Sequence, residues 1–456
     1  MIKKINLNFL VLLGLFFGWG FVTCLNDLLT PILKEMFALN QFQANFVSFA
    51  FFTAYFVGSL FYVLSSMMGI KFFINLGYKG LILLGLILSG LGCLIFIPAA
   101  MFKSYPIFLI GLFSIGFGFT FLQISANPLV IISGEAKTGA SRLNLAGGFN
   151  SLATSVAPII GAYVFYQLLS VNTNHANLKY PYIGLALFFV LLAFLIHKYL
   201  HTHESHSFSE ESGKPYALNH ANLLFGALAI FFYVGSEVSI GTNLITYLKS
   251  PDSLGLIDSF AAKLLAFYWG GAMIGRFLGG IALGNMTMRR KFIMMVVIAC
   301  ALTLLIMLTA GMIGQVDIAY YIMFEIVAIV LFMLSSSNVR LNLVLFAAVN
   351  ICNLVVASVL HNSWFAVWAV LSAGLFNSIM WPNIFDLAIA DLGKYKEQGS
   401  SFLIMMILGG AILPVIQGRL ADNTNIIISF LVPVVGYIYI FCYGMFYSKK
   451  VYKWIK

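Results

Sequence analysis

Two carboxylates lie deep inside long apolar stretches of the chain, where a charge is costly unless it is neutralised, paired or hydrated. Asp27 stands in the string LND with Pro31 one helical turn later, and Glu237 stands in the string YVGSEVSIG. Because loss of hydration favours the protonated form of a carboxyl group, either could bind and release a cation. Asp27 could instead be a static carboxyl that caps a bent helix. Glu237 could instead pair with Lys263 or Arg276, or serve only as a structural hydrogen-bond partner.

The elements that carry these groups are membrane-spanning helices. The chain is 61 % hydrophobic and only 9 % charged, so a charge inside an apolar run needs an explanation. A hydrocarbon core of about 30 Å takes about 20 helical residues per crossing, and a backbone in lipid must satisfy its own hydrogen bonds. The runs are continuous, which excludes a β-barrel. Fourteen runs are predicted, at roughly 7–33, 42–67, 77–100, 104–133, 142–169, 180–200, 222–249, 261–284, 291–313, 317–335, 341–360, 363–391, 400–420 and 426–448.

The distribution of Lys and Arg predicts the orientation of these helices. With the N-terminus in the cytoplasm and fourteen crossings, most of the 25 basic residues fall on the cytoplasmic side, as the positive-inside rule requires. Both termini are then cytoplasmic. The formal net charge of +10 results from this bias and requires no nucleic-acid partner. The first run has no small-residue cleavage site, so it is interpreted as the first helix and not as a signal peptide.

The longest polar stretch divides the chain into two parts. We predict a six-helix bundle at 1–200, a cytoplasmic linker at 201–221, a second bundle at 222–448 and a basic cytoplasmic tail at 449–456. The second bundle would contain an extra helix hairpin at 317–360, located at its periphery. A hairpin returns the chain to the same side of the membrane, so it can be inserted without inverting the later helices.

Other reactive residue types give weaker signals. His197 and His201 are one helical turn apart and could bind a metal, but a solvated linker is favoured and no metal site is predicted. The five cysteines are scattered through the spans, as expected for apolar packing. Gly271, Gly275 and Gly279 share one helix face and predict close helix packing. No phosphate-binding loop of the Walker kind and no nucleophile–base cluster occurs, which argues against ATP hydrolysis and against a membrane enzyme.

Several separated strings together resemble the fucose/glucose–galactose permease family of the major facilitator superfamily. They are GWGFVTCLNDLLTPILK, FLQISANPLV, ASRLNLAGGFNSL, YVGSEVSIG, GLFNSIMWPNIFDLAIADLGK and QGSSFLIMMILGG, and the resemblance covers essentially the whole chain. The hairpin and the WPNIF string resemble the longer glucose/galactose and N-acetylglucosamine branch. The resemblance implies a major facilitator fold, an all-α polytopic protein made of two helical bundles.

The resemblance also implies roles for individual residues. Asp27 matches a proton-coupling aspartate, whereas Gln123 stands where the fucose permease pattern has a second carboxylate. An amide suits sugar hydroxyls, and an aromatic face can stack on a pyranose ring. Two departures are Cys24, where the fucose pattern has Asn, and Gly147, where the wider family has Gln. The candidate substrate-binding residues are Asn26, Gln123, Asn127, Asn144, Asn150, Asn377 and Trp381.

The expected function is therefore secondary active transport by alternating access: cation-coupled symport of a neutral hexose or amino sugar, with Asp27 and Glu237 as the cation-coupling candidates. The expected cofactor set is empty apart from the coupling cation, H⁺ or Na⁺, and the expected form is a monomer in the cell inner membrane. A major facilitator exporter or importer of a non-sugar metabolite, drug or siderophore is the alternative, since the fold does not dictate the cargo.

Overall fold

The computed structural model describes residues 7–39, 43, 46–68, 70, 72–168, 175–200, 216–335 and 338–447, and within these ranges the chain is helical, without strands. Most of the predicted linker and all of the predicted tail lie outside the described residues. The helices are α1 Leu7–Met36, α2 Phe46–Met67, α3 Phe72–Met101, α4 Tyr105–Ile132, α5 Gly139–Ala162, α6 Lys179–Tyr199, α7 Ala221–Lys249, α8 Asp258–Ala282, α9 Met288–Ala310, α10 Ala319–Ser335, α11 Val339–Val359, α12 Trp364–Asn377, α13 Met380–Ile389, α14 Lys396–Met405, α15 Gly409–Asn423, α16 Ile426–Ser429 and α17 Leu431–Cys442.

The lengths and compositions of these helices confirm a polytopic membrane protein. Eleven described segments are long and apolar enough to cross a membrane, and two shorter apolar helices lie at Phe49–Ser65 and Ala319–Ser335. The number of fourteen spans is not confirmed. Helix α5 is not among the eleven, because Asn, Ser, Gly and Arg side chains dilute its apolar surface. One predicted run, 363–391, is divided between α12 and α13.

The chain forms two compact units. Unit 1 comprises residues 1–133, 152–219 and 392–405. Its described core is α4 packed on α3 and α2, with α6 on α3. Helix α14 packs against α2 and α4 within the same unit. Small residues let α3 and α4 approach closely, since a Cβ on Gly85 would lie 2.6 Å from the Gly118 carbonyl oxygen.

Unit 2 comprises residues 134–151, 220–391 and 406–456. The glycine stripe of α8 provides its closest helix contacts, as the spacing predicts. A Cβ on Gly275 would lie 2.5 Å from the Leu375 carbonyl oxygen, and one on Gly271 would lie 2.8 Å from the Tyr321 hydroxyl. The predicted bundles at 1–200 and 222–448 stay a prediction. The contacts group 134–151 with the second half of the sequence and 392–405 with the first.

The predicted hairpin at 317–360 is not peripheral as a whole. Its second helix, α11, packs along α12 and α17 and buries Asn342 and Asn350 completely. Helix α9 has the lowest buried share of the eleven spans, 22 %, and its main contact is with α8. The hydroxyl of Thr303 on α9 donates to the Glu325 carboxylate on α10. The least embedded of the eleven spans is therefore α9, in unit 2.

Candidate functional site

Helix α7 carries Glu237 and helix α8 carries Arg276, and the two side chains form an ion pair inside unit 2. Arg276 Nη2 lies 3.5 Å from Glu237 Oε1, and the two side chains are only 17 % and 12 % exposed. Glu237 Oε1 has no partner with hydrogen-bond geometry among the described residues, so its contact with Arg276 is an ion pair without a hydrogen bond. Of the alternatives for Glu237, the structure shows both pairing with Arg276 and hydrogen bonding, to the Tyr233 hydroxyl.

Arg276 also bonds to three groups other than Glu237. Its Nε donates to the backbone carbonyl of Ser378 at 3.4 Å, and its Nη2 lies 3.5 Å from the Tyr233 hydroxyl. Its Nη1 donates to the hydroxyl of Ser151 on α5. Ser151 is the last residue of the segment 134–151, which belongs to unit 2. The rigid fork of the guanidinium is suited to bridging several acceptors at once.

The Ser378 carbonyl is available because of Pro382. Proline has no N–H, so the carbonyl four residues before it loses its helical partner. Helix α12 ends at Asn377 and α13 begins at Met380, and the chain between them carries this carbonyl. The string NSIMWP thus places an unpaired backbone acceptor inside an apolar span, and Arg276 satisfies it.

Asn377 is a predicted substrate ligand, but its amide is already engaged in a buried network. Its Nδ2 donates to the Tyr268 hydroxyl at 3.0 Å, and its Oδ1 accepts from Tyr437 at 2.6 Å and from Asn350 at 3.0 Å. The Tyr268 hydroxyl in turn donates to the backbone carbonyl of Glu237 at 2.7 Å. The network therefore links α11, α12 and α17 to the backbone beside the ion pair.

Trp381 lies one turn after the interruption, and its side chain is only partly buried. Its ring centroid is 6.4 Å from that of Tyr233 and 6.0 Å from that of Phe385. Because Tyr233 also contacts Arg276, this aromatic group is adjacent to the ion pair. An aromatic face beside a charged and hydrogen-bonding group is a common feature of small-molecule sites.

Asn144 on α5 is fully buried and belongs to a second amide pair. Its Nδ2 donates to Asn383 Oδ1 at 3.1 Å and to the Ala140 carbonyl at 2.9 Å. A Cβ on Gly279 would lie 2.8 Å from Asn144 Oδ1, so the glycine provides the space that this side chain occupies. Asn150 lies on the same helix and is half-buried.

In unit 1, Gln123 and Asn127 lie one turn apart on α4 and are 3 % and 0 % exposed. Gln123 interacts with the hydroxyl of Tyr55 on α2, which also interacts with Trp19 on α1. Neither amide atom of Asn127 has a hydrogen-bond partner among the described residues. The side chains of Asn26 and Asp27 lie outside the described residues, although their backbone belongs to α1, so their predicted roles stay predictions.

Comparisons with known proteins give a consistent picture. The glucose/galactose transporter of Brucella abortus is 38 % identical over 441 residues, covering 96 % of this chain and 93 % of the relative. The putative glucose/galactose transporter of Helicobacter pylori is 32 % identical over 457 residues, covering 97 % and 96 %. The chain belongs to the glucose/galactose transporter family of the major facilitator superfamily. No protein-family model matches it.

The fold is that of a solved member of the superfamily. Two crystal structures of FucP, the fucose:proton symporter of Escherichia coli, one of them in the outward conformation, each match with a TM-score of 0.73 at 25 % identity, covering 96 % of this chain and 98 % of the other. The resemblance inferred from the sequence strings is thereby confirmed, as is the major facilitator fold. The relatives are named as transporters, so the expectation that the chain is not an enzyme is also confirmed.

The two departures from the family pattern have structural consequences. The Cys24 thiol donates to the Thr154 carbonyl at 3.3 Å within unit 1. A Cβ on Gly147 would lie 3.4 Å from Arg276 Cδ, in ordinary contact. A larger side chain at this position would therefore contact the aliphatic part of Arg276. The departure at 147 and the ion pair belong to one local arrangement.

The sequence patterns do not reveal the three tyrosines and the asparagine that surround the predicted residues. Tyr233, Tyr268, Tyr437 and Asn350 lie on four different helices, and no short motif connects them. A detectable signal is the proline in NSIMWP, because it identifies the Ser378 carbonyl as an acceptor that needs a donor. Among the described residues no group of three or more His, Cys, Asp or Glu could hold a metal ion.

Proposed function

We propose that this protein is a cation-coupled symporter that imports a neutral hexose or amino sugar across the cell inner membrane by alternating access. The proposal is supported mainly by two transporter relatives named for glucose and galactose, each aligned over nearly the full chain. A more distant relative, 28 % identical over 471 residues, is named an L-fucose-proton symporter. Hexoses are therefore the first substrates to test.

The charge balance around Arg276 favours a neutral substrate. The guanidinium already has Glu237 as its counter-charge and has hydroxyl and carbonyl acceptors on its remaining nitrogens. A sugar acid or sugar phosphate would need an uncompensated cation, which this pair does not offer. Tyr233 and Trp381 supply an aromatic surface that suits the apolar face of a pyranose.

Two carboxylates are the coupling candidates. Asp27 is favoured because it matches the family's coupling position and because Gln123 cannot titrate. Glu237 is the second candidate, since its negative charge holds Arg276 and its neutralisation would release that residue. A carboxylate binds either a proton or a sodium ion, so the coupling ion is left to experiment.

Each unit contains amides that are candidate ligands. Gln123 and Asn127 in unit 1, and Asn144 and Asn150 on α5, are proposed to bind sugar hydroxyls, while Asn377 organises the helices beside Trp381. Asn26 stays a candidate because it neighbours Asp27. The protein is proposed to act as a monomer with both termini in the cytoplasm.

The test is uptake by the purified protein in proteoliposomes. Labelled glucose, galactose, fucose and N-acetylglucosamine are offered separately, under an imposed proton gradient, an imposed sodium gradient or neither. We expect accumulation of at least one sugar with one of the two gradients and only equilibration without a gradient. Binding and transport of none of the four sugars, together with transport of an unrelated metabolite, would refute the proposal.

A further inference from the structure

The interruption between α12 and α13 is stabilised by one side chain from another helix. Pro382 removes the N–H that would bond the Ser378 carbonyl, and Arg276 Nε donates to that carbonyl at 3.4 Å. Ser378 and Ile379 keep right-handed helical dihedral angles, so the interruption is a local loss of helical hydrogen bonding within one apolar span. Arg276 supplies a donor to the acceptor that this loss leaves.

The same guanidinium is held by a charge that can be removed. Nη2 lies 3.5 Å from Glu237 Oε1, beyond the hydrogen-bond geometry that would fix it. The groups that face Glu237 are Tyr233 on its own helix, Arg276 and Tyr268 on α8, and Tyr437 on α17. Of these four, Arg276 is the only one with a positive charge. Loss of the Glu237 charge would therefore leave Arg276 without its counter-ion.

We propose that Arg276 is a positioning residue that couples the charge of Glu237 to the geometry of the α12–α13 interruption. While Glu237 is ionised, the ion pair holds the guanidinium against the Ser378 carbonyl and fixes the angle between the two helices. When Glu237 loses its charge, the guanidinium is released and α13, which carries Trp381, can move relative to α12. This inference rests on the proposed function, because Glu237 is the second of its two coupling candidates.

The network around Asn377 makes the interruption a suitable hinge. Tyr268, Tyr437 and Asn350 anchor the last residue of α12, so that helix is held in place. Helix α13 is tied through Asn383, which bonds to Asn144 and, at 3.5 Å, to the Val339 carbonyl. Both helices are therefore bonded to α11, at Asn350 and at Val339, and α13 is also bonded to α5 through Asn144. Arg276 lies at the junction between α12 and α13.

The first experiment restores the missing backbone donor. Pro382→Ala supplies an N–H that can bond the Ser378 carbonyl, so Arg276 is no longer needed there. Pro414→Ala is the matched control, because Pro414 lies inside α15 of the same unit, outside the site. Arg276→Lys keeps the positive charge but loses the planar fork.

Transport is measured for all single and double variants. We expect Arg276→Lys to lower the maximal rate of gradient-driven uptake about tenfold, the size of one lost charge-assisted hydrogen bond, with little change in KM. Adding Pro382→Ala should restore part of this rate, whereas adding Pro414→Ala should not. Equal effects of the two proline variants, or a loss confined to KM, would overturn the proposal.

A second measurement does not depend on the substrate. Thermal unfolding of the same variants in detergent gives a double-mutant cycle, and residues that share an interaction give non-additive changes. We expect Pro382→Ala and Arg276→Lys to be non-additive in Tm, and Pro414→Ala and Arg276→Lys to be additive. Additivity in both cycles would overturn the link even if no sugar were transported, so the two proposals fail separately.

Discussion

Each unit contains an apolar helix with a proline near a candidate asparagine, yet the two helices differ. In unit 1, α4 continues through Pro128 as one helix from Tyr105 to Ile132. In unit 2, the chain at Pro382 is divided into α12 and α13, and Arg276 bonds to the carbonyl that the proline leaves free. A proline alone therefore does not interrupt the helical hydrogen bonding of a span; in unit 2, Arg276 from α8 donates to the carbonyl at the interruption.

The neighbouring asparagines differ in the same way. Asn377 has a described partner for both of its amide atoms, whereas Asn127 has none for either. The same reasoning about buried amides predicts substrate binding for both residues. A buried amide with its partners in place stabilises a fold, and one without them is a better candidate for a ligand. The comparison predicts a structural role for Asn377 in unit 2 and a ligand-binding role for Asn127 in unit 1.

The largest expected effect concerns the ion pair. Glu237→Ala leaves Arg276 buried without a counter-charge, and breaking a buried pair costs about 3–5 kcal/mol. The double variant Glu237→Gln with Arg276→Gln removes both charges and should cost much less. Thermal unfolding in detergent measures both. Equal destabilisation by the single and the double variant would show that charge does not hold this region together.

The next effect compares the two asparagines directly. Asn377→Ala removes three hydrogen bonds and leaves buried hydroxyl and amide groups unsatisfied, at a cost of about 1–3 kcal/mol. Asn127→Ala breaks no bond to a described residue, so its unfolding temperature should stay near that of the parent while its apparent sugar affinity falls. Both variants are assayed for thermal unfolding and for sugar uptake, and the two assays together distinguish a structural role from a binding role. The reverse assignment, with Asn127→Ala the less stable of the two, would remove the distinction between the units.

The sequence predicts more of the fold than of the candidate site. Run lengths are sufficient to predict a helical membrane protein, because lipid restricts the chain to helices. The strings around Asp27, Gln123 and Trp381 are sufficient to predict the superfamily. They are not sufficient to locate the extra helix hairpin in the second bundle. Either α9–α10 or α10–α11 could be the inserted hairpin, since each returns the chain to the same side of the membrane. Only the contacts of α11 with α12 and α17 distinguish the two choices.

The sequence predicts the types of residue in the site better than it predicts the contacts between them. Glu237 and Arg276 are recognisable as possible partners because both are charges in apolar helices. The network from Tyr268 through Asn377 to Tyr437 joins α8, α12 and α17, and its members are far apart along the chain. No local spacing encodes such a contact, so a sequence pattern cannot distinguish Asn377 from Asn127.

A smaller effect is expected at Gln123. Gln123→Glu places a titratable group beside Tyr55, in the position where the fucose permease pattern has a carboxylate. If Gln123 lies on the substrate path, the pH dependence of uptake should change while the protein remains folded. Uptake across the range from weakly acidic to weakly alkaline pH, compared with the parent, is the assay. An unchanged pH profile with unchanged affinity would favour a helix-packing role.

The central claim is that transport is coupled to a cation through a carboxylate, with Asp27 as the favoured residue. Asp27→Asn keeps the size and a hydrogen-bond acceptor but cannot bind a cation by charge, so it mimics the loaded carrier permanently. We predict that this variant exchanges labelled sugar between preloaded proteoliposomes at a rate near that of the parent but no longer accumulates sugar under the gradient. Accumulation at the parent level would contradict the account and would transfer the coupling role to Glu237.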